Sequence, residues 1–266
     1  AAPNIARRAI DKEQLKLSLQ DSGVRVPAGQ CVSDNSELSG KHVEFPCVVR
    51  PTLSLVGKSG VWLVAERETL PQAIGQACKV SLNGRVMVEE FIRGYNLSLY
   101  GFVQNGELRP LVLIDELNGI SPEGAVKGVG MVVPSRFQHS EESLKIEDAA
   151  IHAVARLGIG TSVCYLSFRC PTGGEPTLIE MHLDMGADLI LEELLPASTD
   201  FDFFAYFIRA LTGERQRPAK ISPQPVALLY GDKKEPECER SFRLLRAESR
   251  TELERQILRE EANIHA

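Results

Sequence analysis

Thr177-Leu-Ile-Glu-Met-His-Leu-Asp-Met-Gly186 runs apolar into Glu180 and then sets His182 and Asp184 on alternate positions. Along a strand, residues i, i+2 and i+4 share one face. The spacing therefore predicts a carboxylate, an imidazole and a second carboxylate pointing the same way from a buried sheet. Three such groups suit a hard cation or a phosphate-handling site. The same triplet also fits an edge strand with a solvated polar face, and the neighbouring sequence has to decide between the two.

Working outward, residues 162–169 and 175–184 read as paired strands joined by Pro171-Thr-Gly-Gly174. Ser140-Glu-Glu opens an amphipathic helix that Gly158 stops. Gln104-Asn-Gly-Glu107 signals a hairpin between strands 97–103 and 108–115. Residues 118–130, glycine-rich with Pro122, read as a loop ahead of a short strand at 131–133. Further upstream, 42–50 and 61–65 read as strands flanking the loop 51–60. Residues 68–82 read as a helix that tolerates Pro71 in its first turn, and 86–92 as a strand turned by Gly94. Asp11 is the expected cap of a helix stopped by Gly23. Downstream, 189–195 and 202–211 read as helices, 214–223 as a surface linker, 225–230 as a last strand and 238–264 as charged, solvated helices with moderate apolar faces that can pack on the lobe or on a partner. Strands and helices so mixed and hairpin-linked predict an α+β fold with antiparallel sheets.

Bulk properties narrow the class. The 266 residues can bury a sizeable core. A net charge of -6 gives no reason to expect nucleic-acid or anionic-membrane binding. No apolar run is long enough to span a bilayer, and Ala1-Ala-Pro-Asn-Ile-Ala-Arg-Arg8 lacks the apolar core of a signal peptide. Cys31, Cys47, Cys78, Cys164, Cys170 and Cys238 form no Cys-x-x-Cys pair. Reduced thiols and a cytoplasmic location are the expectation.

Five motifs then occur in order: Asp11-Lys12 before a helix; Phe45-Pro-Cys-Val-Val-Arg-Pro51; Gly57-Lys-Ser-Gly-Val61; Val88-Glu-Glu-Phe-Ile92 followed by Gly94; and Leu178-Ile-Glu-Met-His182. Together, over about residues 11–213, they resemble the ATP-grasp superfamily, in particular its carbamoyl-phosphate-synthetase-like members. The resemblance implies two lobes of antiparallel sheet, with helices, gripping ATP between them. It divides the chain into a lead-in helix (1–23), a small lobe with the glycine-rich loop (24–92), a large lobe with the metal site (93–213) and a C-terminal strand with charged helices (214–266). It assigns Lys12, Arg50 and Lys58 to the phosphates and Gly57, Lys58, Ser59 and Gly60 to a closing loop. Glu89, Glu90, Phe91, Ile92 and Asn96 go to adenine and ribose, and Glu180 and His182 to magnesium, with Asp184 added as a third candidate ligand by its place on the same strand face. The physical sense is plain: polyanionic ATP needs cations aimed at its phosphates, and magnesium shares one or two carboxylates with them.

Departures from the family pattern are equally specific. Ser167 stands where a first magnesium-binding carboxylate is usual, His182 where asparagine is, Asp184 where arginine is, and Asn96 where a second ribose-binding carboxylate is. Asp184 is expected to replace the missing carboxylate, since on an extended strand it shares a face with Glu180. The chain also starts almost at Asp11-Lys12. An acceptor-holding N-terminal domain is therefore expected on a longer protein or on a partner chain.

The resemblance implies an ATP-dependent ligase, or its ATP-grasp portion, acting on small-molecule carboxylate and amine substrates. The carboxylate would be activated as an acyl phosphate for attack by the amine, giving ADP and phosphate. Lys127, in Gly124-Ala-Val-Lys-Gly-Val-Gly130, reads as a loop charge with an acceptor role as its alternative. A second reading is a degenerate module that binds nucleotide without turnover and acts as a binding or regulatory domain. A third, a metal-dependent hydrolase using Glu180, His182 and Asp184, ranks last because His42, His139, His152 and His265 add no ligand-spaced cluster.

Overall fold

The computed structural model describes every residue except 39–41, 55–56, 186–187, 217–220, 232–240 and 265–266, so Gly186, Cys238 and His265 lie outside the described residues. Two helices begin the chain. The first, α1 (Pro3–Ile10), is absent from the sequence reading, although Pro3 in its first turn is a standard opening. Asp11 then caps α2 (Lys12–Leu19), its carboxylate accepting from the backbone N–H groups of Glu13 and Gln14.

The smaller sheet is built from β1 (Gly29–Val32), β2 (Cys47–Pro51), β3 (Trp62–Val64) and β4 (Val86–Glu90), in the order β1-β4-β2-β3, all antiparallel. The helix α3 (Leu70–Val80) covers one face, burying Leu70, Ala73, Ile74 and Ala77 against Val49, Val64 and Val88.

The larger sheet takes up most of the remaining chain. Its strands are β5 (Tyr95–Gln104), β6 (Glu107–Ile120), β7 (Val126–Val133), β8 (Ser162–Cys170), β9 (Thr177–His182), β10 (Val226–Tyr230) and β11 (Phe242–Arg246). They pair antiparallel in the order β11-β10-β7-β6-β5-β8-β9. One face carries α1, α2 and α4 (Glu141–Leu157), with Ala9, Leu15, Ile146 and Val154 packed on Leu99, Leu166 and Phe168. The opposite face buries Tyr100, Phe102 and Ile114 beneath α5 (Leu195–Ser198) and α6 (Phe203–Leu211). Each such side chain taken fully out of water contributes about 1.5–3 kcal/mol. The last helix, α7 (Arg250–Ile264), packs Leu253 and Ile257 on Ala227 and Leu229 of β10.

Two sequence expectations need correction. Residues 118–130 are not a loop: β6 runs on to Ile120 and β7 begins at Val126, a paired ribbon. Gly124 and Gly130 there serve close approach. A Cβ on Gly124 would meet the Leu63 carbonyl oxygen at 2.4 Å, and the φ of +93° there also favours glycine. Residues 242–246 are a strand rather than helix, because β10 offers an edge to pair with. Of the two packings open to the last helix, its apolar face takes the lobe, where it joins a core cluster. Among the described residues, no helix is long and apolar enough to cross a membrane.

The five described cysteines are free. Burial pushes the Cys47 and Cys170 thiols up to about 11 and the Cys31 and Cys164 thiols up to about 12, from an ordinary 9.0. Between those values the fold keeps protons that the unfolded chain has lost, so stability falls as pH rises. The contribution is whole below about pH 9 and is lost as pH climbs through the folded values. Urea midpoints are expected to drop between about pH 9 and 11, with a shallower drop in Cys164→Ala. An identical pH profile in that variant would remove Cys164 from the account.

Candidate functional site

A cavity of about 260 Å³ lies between the two sheets. The small sheet contributes Val48 and Arg50 from β2, Glu89 and Glu90 from β4, and the loop residues Gly57, Lys58 and Ser59. The large sheet contributes Asn96, Glu116, Ser167, Arg169 and Glu180. Lys12, the first residue of α2, closes one side, held by its backbone N–H to the Thr52 carbonyl at 2.9 Å. Phe91 and Ile92, on the connection between the sheets, complete the wall.

The lobes are also tied directly. Trp62 bridges to Ala125, Leu63 N donates to Gly124 O at 2.8 Å, and Val126 N to Val61 O at 2.9 Å. These bonds dock β3, which follows the glycine-bearing loop, on the tip of the β6–β7 ribbon.

Charge inside the cavity is arranged in pairs. Lys12 Nζ lies 3.0 Å from Glu180 Oε2. Lys58 Nζ lies 2.7 Å from Glu116 Oε2. Arg50 and Lys16 both contact the Glu89 carboxylate, which is 3% exposed. Burial pushes the Glu180 carboxyl up, but Lys12, His182 and Lys58 outweigh it and hold it well below the usual carboxylate range. Burial likewise opposes the charged forms of Glu116 and Lys58, and each is overcome by the other's charge: Glu116 is lowered and Lys58 raised. His182 is raised, its burial outweighed by Glu180, which lies 3.7 Å away.

Most sequence-predicted residues converge here. Lys12, Arg50, Gly57, Lys58, Ser59, Glu89, Glu90, Phe91, Ile92, Asn96 and Glu180 all line the cavity. Gly60 is not among them; it packs toward Pro51 and Val80. The two hinge carboxylates are already engaged, Glu89 by Arg50 and Lys16, and Glu90 by the Ala28 N–H at 2.8 Å. His182 and Asp184 do not line the cavity. Strand β9 ends at His182, so the alternation that would put Asp184 beside Glu180 stops short of it. Among the described residues, no three His, Cys, Asp or Glu side chains form a ready-made metal cluster. Lys127 is exposed on β7, away from the cavity.

Glu116, Lys16 and Arg169 escaped the sequence reading. Lys16 had a signal, lying four residues after Lys12 on the same helix face. Glu116 had a fainter one, the adjacent acids Asp115-Glu116 inside an apolar strand. Arg169 had none; it lies 5.1 Å over the Phe91 ring and donates to Gly94 O at 2.7 Å.

Comparison with known proteins fits this geometry. Residues 11–186 match the family described as the carbamoyl-phosphate synthase L chain, ATP-binding domain. Over 180 residues the chain is 27% identical to the carbamoyl phosphate synthase large chain of Archaeoglobus fulgidus, covering 66% of this chain and 16% of that one. The chain thus spans about a sixth of the length of that curated relative. Among solved structures, the L-amino acid ligase of Bacillus licheniformis superposes with a TM-score of 0.69 at 21% identity, over 84% of this chain and 54% of that one. The biotin carboxylase domain of Hydrogenobacter thermophilus 2-oxoglutarate carboxylase, crystallised with magnesium ADP and bicarbonate, superposes at 0.67 with 18% identity, over 84% and 50%. At such identities these two show the fold alone, two antiparallel sheets closing on a cleft. With a family match over most of its length and this fold, the chain belongs to the carbamoyl-phosphate synthase L chain ATP-binding-domain family, within the ATP-grasp superfamily.

Proposed function

We propose that the cavity binds magnesium ATP and that the chain is the ATP-grasp portion of a ligase that activates a carboxylate for attack by an amine. The observation that carries this reading is the convergence of Lys12, Arg50 and Lys58 on one cleft with the buried carboxylate of Glu180. The described lining offers oxygen donors and neither imidazole nor thiol, a set that fits magnesium. Magnesium, when bound, would be held by Glu180 and would supply charge neutralisation at the phosphates.

In this reading Lys12, Arg50 and Lys58 take the phosphates, and Gly57 to Ser59 lie over them. The connection through Phe91 and Ile92, with Asn96, takes adenine and ribose. Glu180 is the metal-holding carboxylate. His182 orients it from outside the cavity rather than acting as a ligand, and Asp184 acts through His182, whose charge it favours. A substrate carboxylate oxygen attacks the γ-phosphorus as the bond to the ADP oxygen breaks. The amine then attacks the acyl carbon and phosphate leaves. The protein's contribution is positioning and charge neutralisation. The carboxylate and amine, and any acceptor domain that holds them, are part of the proposal.

The second reading, nucleotide binding without turnover, is favoured by the pairing of Lys12, Arg50 and Lys58 with Glu180, Glu89 and Glu116, and by Ser167 at the usual carboxylate position. Magnesium-dependent ADP release separates the two. Calorimetry tests their shared premise. ATP with magnesium is expected to bind in the micromolar range, and Glu180→Ala to weaken it by about tenfold or more. Absence of ATP binding with or without magnesium would sink both.

A further inference from the structure

Glu116 sits on β6 in a setting that the usual family pattern does not account for. In register, Asn96 on β5 faces Glu116, Ser98 on β5 faces Ser167 on β8, and Ser167 faces Glu180 on β9. Asn96, Ser98, Glu116, Ser167 and Glu180 therefore share one face, and Glu116 and Glu180 approach the cavity from either side of Ser167. One Glu116 oxygen, Oε1, accepts from Tyr165 Oη at 2.8 Å and Ser167 Oγ at 3.2 Å, and also from Ser98 Oγ. The other, Oε2, is directed at Lys58. Three hydroxyls on one oxygen fix the orientation of the group, as outer partners do for metal-binding carboxylates. Glu116 is 7% exposed, so this charge requires a cation beside it at all times.

We propose that Glu116 is this chain's second magnesium-holding carboxylate, moved from the position of Ser167 on β8 to β6, two strands away across β5, with Lys58 holding its place until nucleotide binds. The inference rests on the reading of the cavity as a magnesium-nucleotide site. Ser167 is then no defect: its hydroxyl has become a support for the relocated ligand. Lys58 has two partners in turn, Glu116 without nucleotide and phosphate with it. Its departure frees Oε2 at the moment the metal arrives with the phosphates, so the buried carboxylate is never left without a counter-charge.

The test is Mn2+ binding by the full chain in the presence of ADP, read as the loss of free-ion signal by electron paramagnetic resonance. Metal-free ADP binding by calorimetry runs alongside. Glu116→Gln is expected to lower Mn2+ affinity by about tenfold or more. ADP alone should bind more tightly to it, because Lys58 is released. Adding Ser167→Glu to Glu116→Gln returns a carboxylate to the usual strand and is expected to recover most of the Mn2+ affinity. Mn2+ affinity of Glu116→Gln within about twofold of wild type would overturn the inference while leaving the nucleotide site standing. If wild type binds no ADP, the site reading falls and the inference with it. Should Glu116→Gln not fold, Glu116→Asp carries the test, since it keeps a charge for Lys58 but withdraws the oxygen by one methylene. A drop in Mn2+ affinity in Glu116→Asp of about fivefold or more supports the inference, and a smaller one overturns it.

Discussion

Glu89→Gln is expected to destabilise the protein by about 3–5 kcal/mol, the usual cost of removing one partner from a buried ion pair. Glu89 is 3% exposed and faces two cations, Arg50 at 5% exposure and Lys16 from α2. Glutamine keeps the shape but leaves both cations without a counter-charge. Arg50 cannot shed its proton, so its desolvation is uncompensated. Lys16 can, and burial already lowers its pKa against the pull of Glu89. Its contact to the Pro27 carbonyl at 2.8 Å remains. Most of the penalty therefore falls on Arg50. The double variant Glu89→Gln/Lys16→Met is expected to recover part of the loss, with a coupling of about 1–3 kcal/mol. Binding moves the other way. Freed of Glu89, Arg50 offers its full charge to phosphate, so metal-free ADP should bind more tightly to the less stable protein. Urea denaturation and calorimetry on the same variants give both quantities. A stability loss below about 1 kcal/mol would mean that water reaches the pair in solution.

Local structure was legible wherever the chemistry is local. Asn105 and Gly106 take the positive φ values that a two-residue hairpin requires, 55° and 84°. Ser140 caps α4 through Ser143 N, and Gly158 ends it in the left-handed conformation. The reading failed where pairing is long-range. Glycines at 118–130 resemble loop residues in composition, yet Gly124 is there because the small sheet comes too close for a side chain. Residues 242–246 have little strand character until β10 supplies an edge.

The site divides along the same line. Cations at 12, 50 and 58 and a carboxylate at 180 stand out as residue types in order. Their choice of partners does not, because it depends on strands brought together by the fold. Glu116 was hidden for a further reason. It adjoins Asp115, and neighbours on a strand face opposite ways, so one acid of the pair enters the cavity and the other the far side. A run of two acids in sequence does not say which acid serves which face.

That far-side acid carries the second large effect. Asp115→Asn is expected to cost about 2–4 kcal/mol and to loosen α7 from the sheet. Asp115 is 2% exposed. Its oxygens accept from Ser135 Oγ at 2.5 Å, Arg136 Nε at 2.8 Å and Arg250 Nη2 at 2.6 Å. Arg250 opens α7 and also donates to the Pro134 carbonyl at 2.6 Å. One carboxylate thus joins the middle of β6, the turn after β7 and the last helix. Asparagine offers one oxygen where two were used and turns an amide toward two guanidinium groups. The penalty stays below that of a fully buried pair because Arg136 and Arg250 keep 30% and 19% of their side chains exposed. Arg136 also retains its place 4.1 Å over the Tyr95 ring. Hydrogen exchange locates the effect: amides of α7 should lose protection first, while those of α4 and the small sheet keep theirs. Uniform loss across the chain would instead show that α7 and the sheet unfold as one unit. Since Asp115 and Glu116 adjoin on β6, the same variant asks whether a loosened far face disturbs the cavity. Backbone register ties β6 to its neighbours on both sides, so ADP binding should change by less than about threefold while stability falls.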